Sequence, residues 1–235
     1  MELLNHVLRA DPAAPRLSVY NESAGTRMDS SAQTLENWVS KIANMFGEEL
    51  ELDADSFILI DLPVSWQAAV IALGALATDV DFAFAEAATF ADAAGSAAQP
   101  PLVDALFTAP TNYLTAHEAF PGADIVLVTD DPFGRGVAES GGDLPLGAID
   151  FGPTVRFYGD QYFGQTTPLP ELYPTELGPE RVLSSGWHDT DSFRAAVLEP
   201  IAAGGSAVIV TGLCPAERLA EIAENEKVTL RRDGA

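Results

Sequence analysis

Apolar positions in the first third of the chain recur at helical spacing and then close up into short continuous runs. Leu35, Trp38, Val39, Ile42, Met45 and Phe46 fall three and four apart, which predicts one amphipathic helix. Ser30 and Gln33 stand at capping-box spacing ahead of it. Glu48, Glu49 and Glu51 crowd its far end, where negative charge opposes the helix dipole and predicts fraying. The run Phe57-Ile58-Leu59-Ile60-Asp61-Leu62 has the pattern of a buried strand. Pro63 then opens a second helix that carries Trp66, Val70, Ile71, Leu73 and Leu76. Residues 80–84 predict a further strand, followed by an Ala-rich stretch that ends at Pro100-Pro101.

The alternation continues along the chain. Residues 103–107 and 125–128 have strand patterns, with a helix expected between them over 112–120. From 131 to 179 the pattern loosens into Gly, Pro and aromatics, including Pro132-Phe133-Gly134-Arg135-Gly136, and an irregular segment is expected. Order returns with a strand at 181–183 and a helix over 190–203, capped by Asp189 and stopped by Gly204-Gly205. A strand at 207–210, a helix opened by Pro215 and a last strand at 228–230 complete the pattern. Strands alternating with helices predict an α/β fold of parallel or mixed sheets with helices on both faces. Residues 1–235 are expected to form one domain, or two lobes over about 1–130 and 180–235 joined by 131–179.

Composition narrows the function. Of the 235 residues, 47% are hydrophobic and 9% aromatic, the profile of a folded soluble protein. The 35 acidic residues outnumber the 12 basic ones, giving a net charge of −23 with only two lysines, Lys41 and Lys227. Binding to nucleic acid or to an anionic membrane depends on Lys and Arg neutralising phosphates, so neither is an expected partner. The single Cys214 forms no internal disulfide and suits a reducing compartment. The first nine residues lack the basic start and long apolar run of a signal peptide. The uncharged run over 62–78 contains Pro63, Ser65 and Gln67 and fits a buried helix rather than a membrane span. A cytoplasmic location is expected.

Several candidate sites compete with plainer readings. His6, His117 and His188 form no metal-ligand pattern, and His188-Asp189-Thr190-Asp191 fits a helix cap better than a cation site. Gly134-x-Gly136 lacks the third glycine of a dinucleotide loop. Cys214 stands before a helix start that lowers a thiol pKa, yet no base is placed beside it. Asp130-Asp131 follows a strand's carboxyl end, as a site residue or as a solvated turn.

Two separated segments carry a family resemblance. Residues 34–44, followed by a strand, Leu62-Pro63, Trp66 and an apolar helix, resemble the opening of adenylate-forming acyl- and aryl-CoA ligases. Residues 198–210, containing Pro200, Gly204 and Gly205, are similar to a later segment of that family, and 215–229 to the element after it. The order matches at both ends of the chain, while residues 84–183 match poorly. The resemblance implies the fold of part of the ligase N-terminal domain. Adenylation also needs a Ser/Thr/Gly-rich loop ending in Lys to cradle ATP phosphates, and no lysine stands between the matching segments. Ser184-Ser185-Gly186 is a fragment of such a loop, followed by Trp187. Tyr173-Pro174-Thr175-Glu176 looks like the family's magnesium-holding element but precedes the Gly204-Gly205 segment instead of following it, and a turn leading to a helix cap is the alternative. The sequence ends at Ala235, before the family's ribose-binding and catalytic-lysine segments. No adenylation, no catalytic residue, no metal and no cofactor are therefore expected.

By the same resemblance, His188 stands sixteen residues before Gly204, where the family places a His or aromatic against the acyl group. Trp187 and His188 are thus the candidate ligand-binding pair, with a helix start as the alternative. The expected role is that of a module binding a small acyl or aryl ligand or a protein partner. The competing role is an enzyme with an unrecognised site, or one whose adenylating activity another subunit completes.

Overall fold

A computed structural model describes residues 1–85 and 102–232, and the expected Ala-rich stretch before Pro100-Pro101 lies outside them. Two five-stranded sheets organise the chain. The first contains β1 (Pro15–Asn21), β2 (Thr26–Ser31), β8 (Arg181–Ser184), β9 (Ser206–Thr211) and β10 (Leu230–Arg231), in the order β10-β8-β9-β1-β2. Only the β1–β2 hairpin in it is antiparallel. The second contains β3 (Phe57–Asp61), β4 (Asp81–Phe84), β5 (Ala105–Thr108), β6 (Asp124–Leu127) and β7 (Ile149–Asp150), all parallel, in the order β4-β3-β5-β6-β7. The first two strands of the chain thus join the sheet made by its last three.

Side-chain alternation explains the layering. Leu17, Val19, Ala207 and Ile209 of the first sheet share one core with Ile58, Ile60, Ala105, Phe107 and Val126 of the second. Between the sheets lie α2 (Ala32–Glu48) and α3 (Trp66–Thr78), whose buried residues complete that core. The opposite face of the first sheet, with Tyr20, Leu183, Val208 and Val210, is covered by Ile222 and Ala223 of a helix at Ala216–Asn225. Leu106, Ile125 and Leu127 on the far face of the second sheet pack on Ala116 of α4 (Tyr113–Ala119). The outcome is the expected α/β fold, parallel and mixed sheets with helices on both faces.

The caps differ from the sequence reading by a residue or two. Ser31, not Ser30, caps α2, its oxygen accepting from Thr34 N at 3.2 Å, because Ser30 is buried on β2. Ser65 Oγ caps α3 by accepting from Ala68 N at 3.2 Å, so Pro63 lies in the lead-in loop. α2 stays helical through Glu48 despite the acidic end, since Glu49 is held by the Tyr158 hydroxyl at 2.8 Å. Burial first, and then this carboxylate, push the Tyr158 phenol up to about 12. Inside 131–179 the chain forms β7, α5 (Phe151–Phe157) and α6 (Leu169–Leu172).

One helix carries an inserted residue. The turn Thr190–Phe193 (α7) passes through a π-turn at Arg194–Leu198 into Glu199–Ala202 (α8). Pro200 has no N–H and its ring crowds the preceding turn, and the wider turn ahead of it relieves both problems. Gly204, at φ +81°, then ends the helix, with Gly205 N donating to Pro200 O at 2.9 Å. The helix at Ala216–Asn225 is α9.

Candidate functional site

The strand order of the second sheet reverses at β3. β3 is followed by β4 on one side, and the chain then crosses to the other side of β3 to place β5, β6 and β7 in turn. α3 covers the inner face and α4 the outer face of this sheet. Such a reversal is where open parallel sheets hold ligands.

Three polar side chains meet there. Asp61 ends β3 and Thr108 ends β5, and the two are register partners. Thr108, fully buried, donates its hydroxyl to Asp61 Oδ2 at 2.5 Å. Asn112, exposed just before α4, donates its Nδ2 to the same oxygen at 3.1 Å. Asp61 itself is half-buried, and no Lys or Arg among the described residues pairs with it. In the sequence Asp61 falls within the strand pattern 57–62, and Thr108 directly follows the strand pattern 103–107. A polar residue closing each of two apolar runs was the available signal, and it acquires meaning only once β3 and β5 are known to be neighbours.

Trp187 and His188 reach the same edge from the first sheet. They follow β8, and Gly186 beside them, at φ +113°, packs against Val64 in the loop after β3. Trp187 is buried, its ring 5.7 Å from Phe84 at the end of β4 and 4.9 Å from Phe193. His188 instead exposes 54% of its side chain, with Nε2 3.4 Å from Asp189 Oδ2. The pair thus splits into an apolar floor and an exposed rim. Asp189 is the N-cap of α7, its Oδ1 accepting from Ser192 N at 2.7 Å while Ser192 Oγ answers Asp189 N. These Ser192 hydrogen bonds hold the Asp189 carboxyl below its usual range.

The loop after β6 is fully committed to its own shape. Asp131, buried, accepts from Phe133 N and from Arg135, whose side chain reaches Oδ2 at 2.9 Å and lowers the Asp131 carboxyl. Gln67 Nε2 donates to Asp131 O at 2.9 Å and Trp66 Nε1 to Pro132 O at 3.1 Å. Asp131 is therefore a turn residue, and it is buried where a solvated turn was expected. Gly134, at φ +68°, lies on Trp66 and Trp38, so Gly134-x-Gly136 is a packed loop.

The remaining candidates separate cleanly. Burial and the nearby Glu22 push the Cys214 thiol up, the opposite of an activated nucleophile. No group of three His, Cys, Asp or Glu residues among the described ones could hold a metal ion. Tyr173 follows α6 and lies under Arg194, 5.6 Å from its ring centre, and Thr175 Oγ1 accepts from Leu177 N; no helix starts there. Among the described residues no helix is long and apolar enough to cross a membrane. Two open grooves of about 600 and 380 Å³ adjoin Tyr162 at the far end of α3, and neither includes Asp61, Trp187 or His188.

No protein-family model matches the sequence. The acyl-CoA synthetase of Brucella canis superposes with a TM-score of 0.71 at 15% identity, over 99% of this chain and 47% of that one. The acetoacetyl-CoA synthetase of Streptomyces lividans gives 0.72 at 16% identity, over 98% of this chain and 42% of that one. The chain thus has the fold of the N-terminal portion of acyl-CoA synthetases and spans less than half the length of these two. A protein of Mycobacterium tuberculosis (strain ATCC 25618 / H37Rv) described as a TIGR03089 family protein is 31% identical over 254 aligned positions, covering 97% of this chain and 95% of that protein. At that identity along nearly the whole of both sequences, the chain belongs to the TIGR03089 family.

Proposed function

We propose that this chain is a binding module that takes a small acyl or aryl ligand at the carboxyl edge of its all-parallel sheet and does not adenylate it. The observation that carries the reading is the switch point between β3 and β5, where Asp61, Thr108 and Asn112 stand at the end of an apolar sheet. Val64, Phe84 and Trp187 supply the apolar side of this edge, and His188 its exposed rim. Ligand sites combine those two ingredients, an apolar wall and a few convergent polar groups. Nucleic acid and anionic membranes are not part of the proposal. Of the few basic side chains, Arg27, Arg135, Arg156, Arg181, Arg194, Arg218 and Arg232 are occupied in internal ion pairs.

A thermal-shift screen tests the reading, using medium-chain fatty acids, aryl acids, acyl-CoAs and the matching amides, alcohols and amines. A ligand at a hundredfold excess over its dissociation constant adds about 2.7 kcal/mol. For a chain of this length that raises Tm by roughly 5–10 °C. The expected result is such a shift for at least one class, reduced in Trp187→Ala and in His188→Ala. No shift with any class, or shifts unchanged in both variants, overturns the proposal.

A further inference from the structure

We infer that Asp61 makes this site select its ligand by a hydrogen-bond-donating cationic group, so that it takes an amine and refuses the corresponding carboxylate. The inference rests on the reading of the carboxyl edge given above and names the ligand's polar end. Thr108 and Asn112 both donate to Asp61 Oδ2, which fixes the plane of the carboxylate. Oδ1 accepts from no described residue. An ionised carboxylate oxygen without a donor attracts a cationic hydrogen-bond donor. The three buried carboxylates among the described residues are satisfied, Asp131 by Arg135, Asp150 by Val137 N at 3.0 Å, and Glu226 by Tyr20, Arg27 and Arg181. Asp61 is held in place at the switch point with Oδ2 fixed and with no donor to Oδ1 among the described residues.

The chemistry of the three side chains then sets the ligand class. With the Thr108 hydroxyl and the Asn112 amide turned toward Oδ2, Oδ1 is an acceptor carrying negative charge. A ligand ammonium donates to it and adds an opposite charge, an alcohol donates without a counter-charge, and a carboxylate meets a like charge. The added ion pair at a partly exposed carboxylate is worth up to about fivefold in Kd. Acids, the substrates that a synthetase-like fold suggests first, are the class this edge disfavours.

Calorimetric titration of the intact chain with matched probes tests the inference: phenethylamine, 2-phenylethanol and 3-phenylpropionate, then hexylamine, hexanol and hexanoate. The expected order is amine over alcohol over acid, with a severalfold difference between the first two. Asp61→Asn keeps the shape and changes the net charge by one, so a general attraction of cations to an acidic protein survives in it. The preference for the amine is expected to vanish there, while the alcohol binds as before. A readout that needs no variant is salt: raising NaCl from 20 to 300 mM weakens amine binding severalfold and leaves the alcohol unchanged. Acids or alcohols binding as tightly as amines, a preference that persists in Asp61→Asn, or salt-independent amine binding overturns the inference and leaves the binding-module proposal standing. Binding of none of the probes, with no response in the wider ligand screen, brings down both.

Discussion

At the scale of single residues, two glycines and one glutamate show how differently like residues are used. A Cβ on Gly74 in α3 would collide with the Ile42 side chain of α2, whereas one on Gly47 would meet nothing within 4 Å. Gly74→Ala is therefore expected to cost about 1–3 kcal/mol through overpacking between the two helices. Gly47→Ala is expected to gain up to about 1 kcal/mol by restricting the unfolded chain. Urea midpoints of the two variants, moving in opposite directions, check this. Glu226 is buried at the end of α9, where it joins Tyr20 at 2.5 Å, Arg27 at 2.7 Å and Arg181, so it ties α9 to β1, β2 and β8. Burial pushes its carboxyl up, but the hydrogen bonds from Tyr20, Arg181 and Arg27 outweigh that and hold it below its ordinary 4.5. A lowered acid stabilises the fold fully above the ordinary value, and the contribution is lost as pH falls through the lowered one. Glu226→Gln is thus expected to cost about 3 kcal/mol near pH 7 by stranding Arg181. Its urea midpoint should converge on that of the wild type as pH falls from 5 toward 3.

Elements are where the sequence was most legible and where its errors have identifiable causes. The helical spacing from Leu35 to Phe46 became α2, and 57–62 became β3 with one residue trimmed, because burial patterns of 3.6 and short apolar runs survive folding. The caps were misread by a residue or two because several small polar residues stand together, and only the geometry decides which oxygen reaches an amide. Ser65→Ala is accordingly expected to destabilise the protein by about 1 kcal/mol through the lost cap on α3, while Pro63→Ala stays within about 0.5 kcal/mol of the wild type. Chemical denaturation of both variants separates the two readings of this helix start. The site was far less legible than the fold. Asp61 and Thr108 lie 47 residues apart and meet only because β5 returns to the side of β3 opposite β4. No local pattern encodes that crossing. Asp131 was visible as an acid after a strand, yet its three backbone and side-chain donors come from its own loop and leave it nothing to offer a ligand.

The whole molecule joins an acyl-CoA-synthetase fold to a net charge of −23. A triphosphate needs backbone amides and at least one mobile cation converging on it. Of the two lysines, Lys41 donates to Tyr158 O at 2.6 Å, away from the carboxyl edge, and Lys227 follows α9 on the outer face of the other sheet. Arg135, in the loop after β6, is tied to Asp131 at 2.7 Å. The edge itself presents Asp61 and, after β6, the exposed Asp130. With a net charge of −23 around them, these groups repel Mg-ATP at long range as well as short. The expectation is that this chain alone catalyses no ATP–pyrophosphate exchange with fatty or aryl acids and binds Mg-ATP with a Kd of roughly a millimolar or weaker. Calorimetry with Mg-ATP, and radiolabelled exchange over the same acid panel, measure both quantities. Micromolar ATP binding that Arg135→Ala or Ser184→Ala abolishes would show that a phosphate site is assembled from these loops without a lysine. Exchange appearing only when a second chain is added would instead place the missing cation on a partner, with the carboxyl edge of this sheet serving as the acyl half of a shared site.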